Sequence, residues 1–217
     1  MTNLQKLKGK FITFEGVEGA GKSTQSKLLV EYLNNNGIEA VWTREPGGCE
    51  GAEEIRKIII SGSVNKWDGI TELLLMYAAR RDHTEKKIKP LLAEGKVVVS
   101  DRYFDSTIAY QGYGHQLDLS KIKAVQKVVL ENFKPDITII LDLNVQEGLN
   151  RTISRGNTNR FEEMDLDFHK RVRDGFKNIA EEEKERVKLI NVEGKSITEL
   201  QKEIINNLNI YSQTSFT

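Results

Sequence analysis

The sequence is short of several features, and each shortage excludes a class of protein. Its 217 residues include a single cysteine, Cys49, which excludes an intrachain disulfide framework and favours a reducing compartment. Lysine plus arginine balance aspartate plus glutamate at 32 each, so no overall charge attracts the chain to nucleic acid or to a membrane. No apolar run approaches the roughly 20 residues of a membrane span, and the run at residues 11–14 is too short for a secretory signal. We therefore expect a cytoplasmic protein that binds neither nucleic acid nor membranes.

What the sequence does contain is an alternation of short apolar runs and longer segments with helical spacing. The apolar runs predict strands at residues 11–14, 39–43, 96–100, 137–141 and 187–191. The longer segments predict helices at residues 23–33, 51–60, 70–93, 120–133, 145–154, 165–184 and 196–208. This alternation predicts an α/β fold, in which one domain over residues 1–217 has a five-stranded parallel sheet flanked by helices. In such sheets, ligands bind at the carboxyl ends of the strands.

Residues 16–23 read Gly-Val-Glu-Gly-Ala-Gly-Lys-Ser, a complete phosphate-binding loop (P-loop) between a predicted strand and a predicted helix. In this setting, backbone N–H groups and the positive end of the helix point at one place, where they bind a polyphosphate. We expect Lys22 to neutralise the outer phosphates and the Ser23 hydroxyl to bind Mg²⁺. The loop therefore predicts a site for a nucleoside triphosphate. The residues expected to form this site are Gly16, Val17, Glu18, Gly19, Ala20, Gly21, Lys22, Ser23 and Thr24.

A second motif, Asn65-Lys66-Trp67-Asp68, matches the guanine-reading signature of GTPases. It follows the polar turn at residues 61–63 rather than a buried strand, and the Asp-x-x-Gly switch expected upstream of it is absent from the sequence. We therefore do not expect a GTPase.

Charged residues follow two further predicted strands. Arg44 follows the second strand, and Asp101 and Arg102 follow the third. A forked guanidinium group holds phosphate oxygens in pairs, although Arg44 taken alone is equally well explained as a surface residue of a turn. Asp101, at the end of an apolar strand beside a P-loop, is typical of a carboxylate that faces Mg²⁺ or its waters. Three more arginines flank a short loop that is able to close over a site, namely Arg151, Arg155 and Arg160.

Together these arginines favour a kinase that holds two phosphorylated ligands over a hydrolase that holds one. The phosphate of a nucleoside monophosphate is an anionic nucleophile near pH 7, because its second pKa is about 6. Such a kinase requires no general base, and its catalysis is positioning plus neutralisation of charge. Two alternatives stay open on this pattern. One is a kinase for another nucleotide or for a deoxynucleoside, whose hydroxyl would need Glu15 or Glu18 as a general base; the other is a P-loop binding module without turnover.

With these motifs in place, the sequence resembles the thymidylate kinase (dTMP kinase) family over almost its whole length. The resemblance is carried by the order of five pieces, at residues 14–25, 44–48, 101–103, 106–112, and 155–156 with 160–162. It implies a three-layer P-loop NTPase fold with a lid at about residues 151–162. It also implies transfer of the γ-phosphate of ATP to dTMP to give dTDP, with Mg²⁺ as cofactor, by a homodimer.

The same resemblance implies a role for several residues around the phosphates. Glu18 would bind the 3′-hydroxyl of the deoxyribose, Arg44 and Arg102 would hold the acceptor phosphate, and Asp101 would help to organise Mg²⁺. Position 19 is glycine where one branch of the family has a catalytic arginine, so the resemblance implies a catalytic arginine in the lid, as in the bacterial-type branch. The implied catalytic residues are Lys22, Asp101, Arg102, Arg155 and Arg160.

For the base, the resemblance implies that Arg80 donates to a thymine carbonyl and that Thr107 and Gln111 read the rest of the edge. Tyr110 would crowd the ribose 2′ position and so favour a deoxynucleotide. Met76 stands where a stacking aromatic residue is expected, so either Met76 or the neighbouring Tyr77 would pack on the ring. The implied substrate-binding residues are Glu18, Arg44, Met76, Arg80, Arg102, Ser106, Thr107, Tyr110 and Gln111.

Overall fold

The computed structural model describes residues 3–154, 156 and 160–214, and its strands form one parallel sheet. The strands are β1 (Phe11–Gly16), β2 (Ala40–Arg44), β3 (Val97–Asp101), β4 (Ile137–Asp142) and β5 (Val187–Asn191). They lie in the order β2-β3-β1-β4-β5, and neighbouring strands are parallel. The predicted α/β fold with a five-stranded parallel sheet is confirmed.

Helices connect the strands in the way that a parallel sheet requires. They are α1 (Lys22–Asn35), α2 (Glu50–Ile60), α3 (Gly69–His83), α4 (Lys89–Ala93), α5 (Phe104–Thr107), α6 (Leu119–Leu130), α7 (Val145–Ile153), α8 (Leu166–Glu182) and α9 (Ile197–Thr214). A 3₁₀-helix covers Asn3–Leu7, and π-helical turns cover Thr84–Ile88 and Ile108–Gly114. Across the part of the chain that is described, none of the helices is long and apolar enough to cross a bilayer.

Apart from shifted helix ends and the unpredicted 3₁₀-helix at Asn3–Leu7, the helix predictions differ from the structure in two places. The single helix predicted at residues 70–93 consists of α3, a π-helical turn and α4, and Pro90 lies in the first turn of α4, where its missing N–H costs no hydrogen bond. The helical segment at residues 104–114 was not predicted, because its small and polar residues lack a clear helical period. This segment is nevertheless important, since wide π-helical turns occur often at functional sites.

Alternate residues of the central strand β1 face two different layers of helices. Phe11 packs in an apolar cluster with residues of α3 and α6. Ile12 and Phe14 pack in a second cluster that includes residues of α1 and α9. The sheet is thus covered on both faces, as a parallel sheet is expected to be.

Asp68, the last residue of the GTPase-like motif, is the N-cap of α3. Its Oδ1 accepts hydrogen bonds from the backbone N–H groups of Ile70 at 2.9 Å and Thr71 at 3.1 Å. An N-cap aspartate satisfies N–H groups that have no partner inside the helix. The motif therefore has a structural explanation.

Candidate active site

The carboxyl ends of β1, β2 and β3 open onto a cleft of about 320 Å³. The strand register brings these ends together, because Phe14 of β1 and Arg44 of β2 both lie opposite Asp101 of β3. The cleft is lined by Gly19, Lys22, Ser23 and Asp101 and by all nine residues of the expected substrate-binding set, namely Glu18, Arg44, Met76, Arg80, Arg102, Ser106, Thr107, Tyr110 and Gln111.

At two glycines of the P-loop, neighbouring backbone approaches too closely for a side chain. Gly16 has a φ of 130° and Gly19 a φ of 71°, a region that disfavours residues with a side chain. A Cβ atom at Gly16 would lie 2.3 Å from the carbonyl oxygen of Leu141, and one at Gly19 would lie 2.3 Å from that of Gly148. The loop therefore runs directly against β4 and α7, and no larger residue fits at either position.

Lys22 is buried against the P-loop, and its Nζ donates a hydrogen bond to the carbonyl oxygen of Val17 at 2.7 Å. Burial and the positive charge of Arg102 lower the pKa of Lys22 to about 8, against the opposing effect of Asp101 and Glu18. A nearby anion raises the pKa of an ammonium group. This lysine is therefore suited to a ligand that brings phosphate charge into the cleft.

Ser23 and Asp101 are the residues placed to hold a cation beside the P-loop. The Ser23 hydroxyl donates a hydrogen bond to Oδ2 of Asp101, and both groups supply oxygen atoms, which Mg²⁺ prefers. Within the described residues, no group of three or more His, Cys, Asp or Glu side chains could hold a metal ion by itself. This donor set fits Mg²⁺, which commonly binds one or two protein oxygens, substrate phosphates and waters.

Glu18 presents a charged carboxylate at the cleft. Its Oε1 accepts hydrogen bonds from the Tyr110 hydroxyl and, at 3.2 Å, from Arg102. Its Oε2 has no hydrogen-bond partner among the described residues, and Nδ1 of His169 lies 3.6 Å away. Burial alone raises the pKa of Glu18, but His169 and the charges of Arg102 and Lys22 outweigh burial and lower the pKa well below its ordinary value. Glu18 is therefore ionised, and its buried Oε2, beside His169, has acceptor capacity left.

Arg102 joins the P-loop to the segment that follows β3. One terminal nitrogen donates to the carbonyl oxygen of Gly16 at 3.2 Å and to the Ser106 hydroxyl at 3.0 Å, and the other donates to Glu18 and Tyr110. Its backbone has a φ of 74°, which costs a residue with a side chain roughly 1–2 kcal/mol. Such a conformation persists only where the surroundings hold it, and it is common at functional sites.

Arg80 is held rigidly on one wall of the cleft. Its Nε donates to Glu45 at 2.7 Å, and its terminal nitrogens donate to the Thr107 hydroxyl at 2.9 Å and to the Tyr103 carbonyl oxygen at 3.0 Å. Described residues use three of the five N–H groups of a guanidinium. The remaining N–H groups are suited to a carbonyl oxygen of a ligand that enters the cleft.

Further cations lie at the rim of the cleft. Arg44 lies 3.2 Å from both carboxylate oxygens of Glu53. Arg56, on α2, also lines the cleft, and burial together with the charge of Arg44 lowers the pKa of Arg56. Sequence reasoning missed Arg56 and the cleft-lining Lys27, because their positions depend on how their helices pack beside β2. The local pattern of α1 and α2 carries no signal that distinguishes them from surface cations.

Arg160 does not occupy the position expected of a lid arginine. It is 2% exposed, and it donates to the carbonyl oxygens of Ile59 at 3.2 Å and Val64 at 3.1 Å and to Oε2 of Glu72. The next residue, Phe161, lines the cleft, whereas Arg160 does not. In this structure Arg160 anchors the end of the lid segment to α3 and to the chain just before it.

The rest of the expected lid at residues 151–162 is described only in part. Arg155 lies outside the described residues. Arg151 donates to the carbonyl oxygen of Gly19 at 3.3 Å and pairs with Glu147. It also lines a second recess, of about 290 Å³, together with Thr24 on the outer side of the P-loop. This recess extends the P-loop toward β5 and α9 and is suited to the remainder of a nucleotide.

The family of this chain follows from how much of the chain a family model matches. A family model described as thymidylate kinase matches residues 14–204 of this chain. The chain belongs to the thymidylate kinase family. The thymidylate kinase of Caulobacter vibrioides is 49% identical over 85% of this chain and 89% of its own length, and that of Wolbachia pipientis wMel is 46% identical over 91% and 99%. The crystal structure of thymidylate kinase from Ehrlichia chaffeensis matches with a TM-score of 0.74 and 38% identity, covering 93% of this chain and 98% of that chain. The resemblance inferred from the five sequence motifs is confirmed.

In the part of the cleft expected to hold the base, Met76 stands where the thymidylate kinase pattern has a stacking aromatic residue. Met76 lines the cleft, whereas the neighbouring Tyr77 is buried, with its hydroxyl donating to Gln126 at 3.2 Å. The sequence analysis did not assign Phe161 to the substrate, yet Phe161 lines the cleft. Its ring meets the Tyr110 ring edge-on, with 6.0 Å between the two ring centroids. A methionine and an aromatic ring are both suited to the face of a nucleobase.

Proposed function

We propose that this chain transfers the γ-phosphate of ATP to dTMP, giving dTDP and ADP. The observation that carries the proposal is that Lys22 of the P-loop lines the same cleft as three arginines besides Arg80, namely Arg44, Arg56 and Arg102. One polyphosphate does not require this many cations. Two phosphorylated ligands that meet in one cleft do require them, because phosphoryl transfer is accelerated mainly by positioning and by neutralisation of charge.

In the proposed reaction, the phosphate of dTMP attacks the γ-phosphate without a general base. Arg44, Arg56 and Arg102 hold and neutralise the acceptor phosphate, while Lys22 neutralises the outer phosphates of ATP. Ser23 and Asp101 are the residues that would hold Mg²⁺, whose charge would stabilise the transferring phosphoryl group. The backbone N–H groups of the P-loop, from Gly16 to Thr24, would hold the remaining phosphate oxygens.

Recognition of the acceptor follows from groups that are already held in place. The ionised carboxylate of Glu18, which lines the cleft, accepts a hydrogen bond from the 3′-hydroxyl of the deoxyribose. Tyr110, held by its hydrogen bond to Glu18, would crowd the 2′ position of the ribose. Arg80 donates to a carbonyl of thymine, and Met76 and Phe161 contact the base. The proposed set is completed by Ser106, Thr107 and Gln111.

The remaining sequence predictions enter the proposal as follows. We assign the lid cation that acts on the transferred group to Arg155, because the guanidinium of Arg160 already binds Glu72. The closing of a lid at residues 151–162, a single domain over residues 1–217, a homodimer and a cytoplasmic location stay predictions.

The test is coupled ADP release with Mg-ATP against dTMP, dUMP, dGMP, dCMP, AMP and thymidine. We expect dTMP to stimulate ADP release most. Arg102→Ala should lower kcat by about 10²-fold or more, the usual effect of losing one transition-state charge contact. The matched control is Lys170→Ala, whose ammonium pairs with Asp167 on the surface at 3.0 Å and which should retain normal turnover. If dTMP fails to stimulate ADP release while another acceptor succeeds, the proposal is wrong.

A deoxynucleoside kinase is less well supported by the geometry. Glu18 lines the cleft, but its pKa lies well below the ordinary value, which makes it a weak general base. The general base of such a kinase would have to reach a hydroxyl in the cleft, and Glu15 is fully buried with both oxygens occupied. Oε1 of Glu15 accepts from the backbone N–H of Tyr103 at 2.7 Å, and Oε2 accepts from the Ser106 hydroxyl. Activity on thymidine alone in the same assay would nevertheless favour this alternative.

A further inference from the structure

Arg160, Glu72 and Gln111 form a buried chain of hydrogen bonds that ends at the cleft. Arg160 donates to Oε2 of Glu72, and Nε2 of Gln111 donates to Oε1 of the same carboxylate at 2.6 Å. Glu72 is fully buried and Gln111 is 1% exposed. Gln111 is nevertheless part of the cleft lining, beside Thr107 and Tyr110. The amide that faces the ligand is therefore held from behind by a carboxylate.

The chemistry of the three groups permits one orientation of the Gln111 amide. Burial alone raises the pKa of Glu72, but His115 and Arg160 outweigh burial and lower the pKa below its ordinary value, so Glu72 is ionised. A carboxylate only accepts hydrogen bonds and a guanidinium only donates them. Gln111 must therefore turn its NH₂ group toward Glu72, since the orientation of an amide follows from its partners. Its carbonyl oxygen, Oε1, which no hydrogen bond between described residues occupies, is presented to the ligand.

We propose that Glu72 sets the pyrimidine specificity of the cleft, by holding the Gln111 amide with its carbonyl oxygen toward the base. The inference rests on the proposed function, in which the pyrimidine of dTMP lies against Gln111. Thymine and uracil carry an N–H donor at N3, whereas cytosine carries a bare nitrogen acceptor there. The carbonyl oxygen accepts a hydrogen bond from the first two bases and repels the third. Glu72 does not touch the base, so it is a positioning residue.

Glu72→Gln tests this because Arg160 dictates how the substituted side chain turns. Arg160 can only donate, so it retains the oxygen of the new amide, and the two hydrogens of the new NH₂ group face Gln111 and His115, whose Nε2 lies 3.2 Å from Oε1 of Glu72. Gln111 must then accept, and it turns its own NH₂ group toward the base. The ratio of kcat/KM for dTMP to that for dCMP should fall by roughly tenfold or more, the factor that corresponds to one hydrogen bond. The ratio of dTMP to dUMP should not change, because both bases carry the donor at N3.

Two further variants separate orientation from general loosening of the site. Arg160→Lys disturbs the same buried cluster but still only donates to Glu72, so it should lower stability while it keeps the dTMP to dCMP ratio. Gln111→Leu removes the amide altogether. In the Gln111→Leu background, Glu72→Gln should no longer change the ratio, because its effect passes through Gln111 and the two substitutions are not additive.

Several outcomes overturn the inference. A parallel loss of kcat/KM on dTMP, dUMP and dCMP, with both ratios kept, would show that Glu72 only supports the fold. An effect of Glu72→Gln on the ratio that persists in the Gln111→Leu background would show that Glu72 does not act through Gln111. If Glu72→Gln does not fold, a neutron structure of the wild-type protein with dTMP decides the matter, because deuterons of Gln111 directed at the base rather than at Glu72 contradict it. A wild-type protein that ignores dTMP refutes the proposed function instead, so the two failures are distinguishable.

Discussion

Replacing Arg160 with methionine should destabilise the fold severely, because the buried Glu72 carboxylate keeps the Gln111 amide and the His115 imidazole beside it but loses its permanently charged partner. The two side chains of this ion pair are 0% and 1% exposed. Breaking a buried pair by removing one partner costs about 3–5 kcal/mol. For a chain of this size, each kcal/mol lowers Tm by roughly 2–4 °C. We therefore expect Arg160→Met to lower Tm by about 6–20 °C.

Thermal unfolding followed by circular dichroism at neutral pH measures this effect. The matched control is Arg151→Met, whose guanidinium pairs with Glu147 at the surface, where both side chains are 43% exposed. An exposed pair contributes about 0–1 kcal/mol, so Tm of the control should change by only a few degrees. If Arg160→Met has the same Tm as the control and only its kcat is lowered, Arg160 does not anchor the fold. That result would favour the catalytic role predicted from the sequence.

Three further substitutions test other parts of the site. Lys22→Met should lower kcat by about 10²-fold or more while Tm is retained, and a kcat near wild type would show that the P-loop lysine is not needed. Burial and the neighbouring Asp105 raise the pKa of Glu15 from 4.5 to about 8. Between these two pH values the folded state holds a proton that the unfolded state releases, so the stability of the fold decreases as the pH rises from 4.5 to 8. Glu15→Gln should remove this slope, and the Tm of the variant minus that of wild type should increase from pH 5 to pH 8; a constant difference would contradict the shifted pKa. Tyr110→Phe removes the hydroxyl that binds Glu18 and Arg102, and it should lower the preference for dTMP over its ribonucleotide, measured as the ratio of kcat/KM values; an unchanged ratio would exclude Tyr110 from sugar selection.

The positions of Arg44 and Asp101 at one edge of the sheet were predictable from the sequence. Both follow short apolar runs, and the carboxyl ends of parallel strands lie at the same edge. The glycines of the P-loop were predictable for a similar reason, because their spacing between a strand and a helix is a local pattern. Site residues whose positions depend only on one strand, the loop after it and the start of the next helix can therefore be predicted from short stretches of sequence.

The position of Arg160 was not predictable in this way. An arginine beside a glycine-containing loop has the local pattern of a solvent-exposed lid residue, and its burial depends on Glu72, which is 88 positions away. Gln111 depends on the same carboxylate from a distance of 39 positions. Hydrophobic periodicity reports which face of an element is buried, but it does not report which distant polar groups meet there. The partners of buried polar residues therefore had to come from the structure.

Three buried carboxylates share one relation to the cleft. Glu18 accepts from Arg102, Glu45 accepts from Arg80, and Glu72 accepts from Gln111. Compared with apolar residues of the same size, buried charged pairs contribute little to stability, so stability does not account for the arrangement. What each carboxylate does is hold one hydrogen-bond donor in a fixed direction before a ligand arrives. A site whose donors are already oriented loses less side-chain freedom on binding and needs less reorganisation during reaction, so these carboxylates contribute orientation rather than stability.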